Sequence, residues 1–266
     1  MKQTLKSILY RLSPNLADRW FSFRRRMHND GVARRRGLPR VLDRYVARHG
    51  HVVQAGPFAG MEYVSRATGS TIAPKLVGSY ECELHSWIEQ LCDEPYERVI
   101  DIGCAEGYYV IGMARRLEGA TVIGFDLDPL SRQLCGEMAR LNGVEDRVTI
   151  RGKCTTEALA GAVRGRTLII CDCEGFEFDL LDPLAIPGLS CADILVELHE
   201  IFRPGVTEAL RRRFEPTHSF EVAATQPRDP AQFAMVSFLP DGDRAIALEE
   251  LRNAPQEWAL LKAKSN

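Results

Sequence analysis

The chain has no apolar run near the ~20 residues that a membrane-crossing helix needs. The apolar centre of its opening, MKQTLKSILYRL, is too short for a secretory leader. A soluble, uncleaved chain in the cytoplasm is the expectation. Closely spaced cysteines are missing as well. Of the eight, only Cys171 and Cys173 fall close together, so neither a zinc-site spacing nor the disulfide framework of a small secreted domain is present. Reduced thiols fit the same compartment. There is no internal repeat and no low-complexity tract. What is present is 266 residues, 45% hydrophobic and 26% charged, enough to bury a sizeable core as one domain or one domain with an extension.

Charge is unevenly placed. Up to Gly50 there are eleven arginines and two lysines against three aspartates, a net of +10 on a chain whose total is -2. An Arg-rich helical layer packing on an acidic body accounts for this. Contact with an anionic membrane surface or nucleic acid is the other account, since clustered cations create the field such polymers feel. Leu5, Ile8, Leu9, Leu12 and Leu16, at helical spacing beside Lys2, Lys6 and Arg11, suit the membrane variant.

The predicted organisation is a basic, mainly helical extension over 1–77 and a larger α/β domain over 78–266. Two helices are expected before Gly50, broken near Ser13-Pro14 and at Asn29-Asp30-Gly31. A hairpin is expected between His51 and Ala67 around Gly56 to Gly60, and a helix from about Gly78 to Cys92. From Arg98 onward short apolar runs alternate with helical patterns, as a parallel sheet with crossover helices requires. The predicted strands are 99–102, 121–125, 148–150, 168–171, 194–198 and 220–223. A last strand is read at 258–261, and Phe233 to Phe238 reads as a competing or additional one. The rhythm is that of a doubly wound, Rossmann-like α/β fold.

Val99-Ile100-Asp101-Ile102-Gly103-Cys104-Ala105-Glu106-Gly107 is the most informative stretch: an apolar strand runs into a small-residue loop and then a helix. Ligands of such folds bind at the carboxyl ends of the strands, where glycine lets backbone approach them. A dinucleotide and S-adenosylmethionine (SAM) both suit such a loop. The dinucleotide pattern would need glycine at Ala105 and Tyr108, and Asp101 puts a carboxylate where a pyrophosphate is repelled and a methionine ammonium is favoured. The second strand ends Gly124-Phe125-Asp126-Leu127-Asp128-Pro129. Asp126 is placed to accept the two ribose hydroxyls, and Asp128 to cap the next helix. The third strand ends at Arg151-Gly152-Lys153, beside the presumed adenine pocket.

DIGCAEG, GFDLDP and CDCEGFE resemble successive motifs of class I SAM-dependent methyltransferases. Asp172-Cys173-Glu174-Gly175-Phe176-Glu177 is similar to the D-x-E-G-x-E element of FkbM-like methyltransferases, associated with O-methylation of natural products and glycans. Cys104-Ala105-Glu106 departs from that family's usual first motif. The resemblance implies a seven-stranded sheet with its last strand antiparallel. It implies Asp101, Gly103 and Gly107 on the methionine side of SAM and Asp126 at the ribose, with Glu106 either facing the cofactor amino group or serving as an acid at the helix N-terminus; Cys104, Leu127, Lys153 and Asp172 complete the expected cofactor site.

Catalytic residues are expected at the ends of the fourth and fifth strands, which open onto one crevice: Asp172 and Glu174, then Glu197, His199 and Glu200. His199 as general base, and Asp172, Glu174 and Glu197 as oxygen ligands for Mg²⁺, are both open, and a base without a committed metal is favoured. Glu174 and Glu177 capping a helix, with His199 a loop histidine, is the plainer reading. Tyr80, Glu81 and His85 are candidates for the acceptor pocket. The expected acceptor is a hydroxyl on a small molecule or glycan. N-methylation of a nucleobase or protein is the alternative, although the Pro-Pro of N-type enzymes is absent after Asp172. A non-catalytic SAM-fold binding protein or a dehydrogenase completes the set.

Overall fold

Beyond Tyr96 the runs RVIDI, TVIGF, TLIIC and DILVEL are apolar almost without interruption, so both faces of the strands they form must be covered. The computed structural model describes residues 30–252 and 255–264 and shows how. Its seven strands are β1 (Arg98–Ile102), β2 (Thr121–Phe125), β3 (Val148–Arg151), β4 (Thr167–Cys171), β5 (Asp193–Leu198), β6 (His218–Ala224) and β7 (Glu257–Ala263). They lie in the order β3-β2-β1-β4-β5-β7-β6. The pairs β3–β2, β2–β1, β1–β4 and β4–β5 are parallel, and β7 runs antiparallel to both neighbours. The order reverses between β1 and β4, so a crevice opens where their carboxyl ends diverge.

Alternation along each strand divides the core. Val99, Val122, Leu168, Leu195 and Trp258 face one layer, which contains the helices Leu38–His49, His85–Cys92, Tyr108–Arg116 and Pro129–Leu141. Ile100, Ile123, Ile169, Ile194 and Leu261 face the other, with Thr156–Ala162 and Val206–Phe214. Val41 and Tyr45 belong to the first cluster, so the basic amino-terminal layer shares the sheet's own core. Its arginines meet acids from a distant segment. Arg40 and Arg44 both pair with Asp243 at 2.6 Å, and Arg36 pairs with Glu249 at 2.9 Å. The apolar stripe from Leu5 to Leu16 and the break at Ser13-Pro14 lie outside the described residues.

Three local expectations are corrected, and a fourth holds in reduced form. The helical break falls at Gly37, in the left-handed region with φ 78°, whereas residues 30–35 are helical. Between His51 and Ala67 the expected hairpin forms in short form: Val52 bridges Glu62 antiparallel, the Val53 N–H donates to the Met61 carbonyl at 2.9 Å and the Tyr63 N–H to the His51 carbonyl at 2.7 Å. Phe58, in the turn, packs on the helix Tyr108–Arg116, where a Cβ on Gly112 would come within 2.5 Å of its ring. The helix expected from Gly78 starts only at His85, after a helix Ile72–Val77, a left-handed Gly78 and a bend at Glu81. Phe233 to Phe238 is no strand: residues Ala234–Val236 form a 3-10 turn that buries Val236 and Leu239.

Candidate functional site

The loop after β1 is built around two glycines that nothing larger replaces. Gly103 has φ 92°, and a Cβ there would fall 1.7 Å from the Asp172 carbonyl oxygen. Gly107 has φ 102°, and its Cβ would meet the Cys135 sulfur at 2.7 Å. Glycine at 103 thus brings the β1 loop against the exit of β4, with the Asp172 N–H donating to the Ile102 carbonyl at 2.9 Å. Ala105 takes a left-handed conformation, φ 47°, without glycine's freedom. Its N–H donates to Asp126 Oδ2 at 2.9 Å, while the Asp128 N–H donates to Asp126 Oδ1 at 2.7 Å. Asp128 in turn caps the next helix by accepting from the Leu130 N–H. Asp126 therefore ties the end of β2 to the β1 loop.

Asp101 is buried at the end of β1. Burial, with the Asp126 charge adding to it, pushes its carboxyl up to about 8. A ligand ammonium beside it would restore the charged form. Cys104 is buried, whereas Leu127 and Lys153 are exposed at the crevice rim, the Lys153 ammonium lying over the Phe176 ring at 5.3 Å.

Glu106 is engaged with the amino-terminal layer. Its carboxylate, fully buried, meets Lys75 Nζ at 2.5 Å and accepts from the Tyr63 hydroxyl at 2.7 Å and the Thr68 N–H at 3.0 Å. Burial opposes the charge, but the Lys75 ammonium and these hydrogen bonds outweigh it and hold the acid at about 2. Gly69, in the segment carrying Thr68, rides directly on Ala105. The amino-terminal layer is thus fastened to the loop after β1.

At the ends of β4 and β5 the structure brings together Asp172, Glu197 and His199, and among the described residues these alone form a cluster of metal-ligand type. His199 Nε2 lies 3.3 Å from Glu197 Oε2 and 3.5 Å from Asp172 Oδ1. On its other side Nδ1 meets Glu177 Oε1 at 3.1 Å, and the His199 backbone N–H donates to the same oxygen. Burial would lower the imidazole's proton affinity, yet the three carboxylates outweigh it and raise it to about 11. Desolvation and the Glu197 charge push Asp172 well above the usual carboxylate range. Glu174 stays exposed on a left-handed backbone, φ 58°, outside the cluster, and Glu200 accepts from the Gly205 and Thr207 N–H groups of the following helix.

Of the three acceptor-pocket candidates, Glu81 reaches the site. Buried at the bend, it pairs with Arg252 at 2.5 Å and accepts from the Tyr109 hydroxyl. Arg252 bridges onward to Glu197 at 3.1 Å and Glu250 at 2.8 Å. Tyr80 faces Lys75 and Arg252, whereas His85 turns towards Gly56 and the Tyr80 carbonyl. Arg252, Lys75 and Tyr63 were not legible as site residues. The sequence reading makes Glu177 only a helix-capping acid, and its place as the last residue of the D-x-E-G-x-E element is the signal that singles it out.

The family model of ribosomal protein L11 methyltransferase (PrmA) matches residues 84–171. A curated ribosomal protein L11 methyltransferase from Alteromonas mediterranea is 38% identical over 64 residues, 24% of this chain. The match spans only 21% of that relative's length. Among solved structures, an O-methyltransferase from Bacillus cereus with SAH is 14% identical, TM-score 0.45, over 85% of this chain and 90% of its own. The O-methyltransferase TomG from Streptomyces achromogenes, in complex with SAM, is 16% identical, TM-score 0.44, over 71% and 83%. The matched segment runs from the helix before β1 through the loop, the acid of β2 and all of β4, and ends one residue before Asp172. With that match over β1 to β4, and with its strand order and antiparallel β7, the chain carries the class I SAM-dependent methyltransferase fold.

Proposed function

We propose that the protein transfers the methyl group of SAM to a hydroxyl on a small molecule or glycan. The observation that carries this reading is the meeting of Asp172, Glu197 and His199 at the ends of β4 and β5, with Asp172 against Gly103 of the cofactor loop. SAM supplies an electrophilic methyl on a sulfonium. Asp101 would face its ammonium and Asp126 its ribose, with Leu127 and Lys153 at the rim. Transfer is an in-line displacement in which the acceptor oxygen bonds to carbon as the carbon–sulfur bond breaks and sulfur keeps the electron pair. A hydroxyl needs its proton removed as this happens. Asp172, half-exposed to the crevice, is the member of the cluster that such a hydroxyl meets, and His199 and Glu197 orient it. Glu174, at the rim, would contact the acceptor. The D-x-E-G-x-E element and its association with FkbM-like O-methylation support the same choice.

A second reading, methylation of a protein nitrogen, is favoured by the ribosomal protein L11 methyltransferase match. That match ends before the residues that would select an acceptor. Incubation with methyl-tritiated SAM and cell extract, separated into small-molecule and protein fractions, tests the two. Label in hydroxyl-bearing small molecules supports O-methylation, label in protein overturns it, and no SAM binding by calorimetry sinks both.

A further inference from the structure

Three side chains converge on one spot with their ligand atoms inward and their other polar atoms fixed from behind. His199 is held by Glu177 at Nδ1, which leaves Nε2 directed at the two carboxylates. Glu197 is held by Arg252 through Oε1, which leaves Oε2 towards His199. Glu177 is itself anchored, accepting from the Gly175 N–H at 2.8 Å. A carboxylate behind an imidazole in this manner sets the tautomer and ring orientation of a metal-binding histidine.

The distances leave room for an ion at the centre. A charge-assisted hydrogen bond draws nitrogen and oxygen to about 2.7–2.9 Å. Here Nε2 is 3.3 and 3.5 Å from the two oxygens. Two ligands each about 2.1 Å from one ion, and about 90–115° apart, sit about 3.0–3.5 Å from each other. We infer that Asp172, Glu197 and His199 form a site for one divalent first-row transition ion, of the class Mn²⁺, Fe²⁺, Co²⁺ or Zn²⁺.

Imidazole nitrogen selects that class over Mg²⁺, which prefers oxygen ligands and sheds water reluctantly. Two carboxylates balance the ion's charge, and His199 gives up one proton to solvent as it binds. Glu197 and His199 close the buried side, while Asp172 leaves the crevice side open for water or an acceptor oxygen. The ion's role in lowering the pKa of that oxygen rests on the methyl-transfer reading; the site itself does not.

The test is titration of tag-free, metal-stripped protein with Co²⁺, followed by its visible absorption, and with Mn²⁺ and Mg²⁺ by calorimetry. One Co²⁺ or Mn²⁺ per chain is expected, held at least 10-fold more tightly than Mg²⁺. His199→Ala should weaken it about 100-fold or more. Asp172→Asn, at a half-exposed position that folding tolerates, should weaken it at least 10-fold. Failure of Co²⁺ and Mn²⁺ to bind wild type, or unchanged affinity in folded Asp172→Asn, overturns the inference. SAM titrations run alongside keep the readings apart: SAM binding without metal binding overturns the ion site alone, and metal binding without SAM binding supports it and overturns methyl transfer.

Discussion

Glu177 Oε1 receives both the backbone N–H and the ring Nδ1 of His199, each at 3.1 Å, so one buried carboxylate fixes the ring from two directions. Replacing it with glutamine keeps the shape and removes the charge. In metal-free Glu177→Gln protein the His199 titration, followed by NMR of the ring carbons, should move to lower pH, because a carboxylate that favours the imidazolium is gone. Methyl transfer should fall about 10-fold or more with SAM affinity unchanged. A His199 titration that stays in place would refute the positioning role.

Asp126→Ala removes the acceptor of the Ala105 and Asp128 N–H groups together with the ribose contact assigned to it. Losing charge-assisted hydrogen bonds of this kind costs about 2–4 kcal/mol, so SAM affinity should drop roughly 30-fold or more. Calorimetry on folded mutant giving wild-type affinity would remove Asp126 from the site.

The Lys75–Glu106 pair predicts an acid limb of stability. Its carboxyl is held at about 2 in the folded chain, below the ~4.3 of an unfolded one. The pair's contribution is therefore full above about pH 4.3 and is lost as pH falls towards 2, on the order of 3 kcal/mol over that window. Lys75→Met, which leaves the buried carboxylate without its cation, should cost roughly 3–5 kcal/mol at neutral pH and less at pH 3. Urea unfolding at the two pH values checks this, and equal losses at both would exclude the pair as the cause.

Ala105 sits where glycine is the unstrained choice, and a left-handed alanine costs roughly 1–2 kcal/mol. Ala105→Gly relieves this strain, and the looser unfolded chain offsets part of the gain. A net gain of about 0.5 kcal/mol is expected, read as a rise in melting temperature. A fall in melting temperature would show that the Ala105 methyl group packs against Gly69 to more effect than the strain costs.

The elements legible in the sequence were those whose chemistry is local. Strands β1, β2, β4 and β5 announce themselves as apolar runs ended by acids, and Asp172, Glu197 and His199 follow from the ends of two such runs. Phe233 to Phe238 misled because alternate apolar residues suit a strand, whereas Phe233, Val236 and Leu239 recur every third residue, the 3-10 period, and pack on the core that way. The hairpin around Gly56 to Gly60 is short, and Phe58 in its turn enters the groove beside Gly112, a tertiary contact that no local pattern shows. Arg252 stands 171 residues from Glu81 and 55 from Glu197, and no local pattern connects them.

Composition divides this chain near residue 77, yet the ammonium of Lys75 is the counter-charge of an acid inside the loop after β1. A cut at the compositional boundary would strand a charge within the core of the larger piece, so the two parts are not interchangeable modules. Grafting a different amino-terminal layer onto this sheet, to change what enters the crevice, would succeed only if the graft brought its own cation to Glu106 or if that acid were made apolar in the same step. Residues 75 and 106 should accordingly change together or not at all as such proteins diverge.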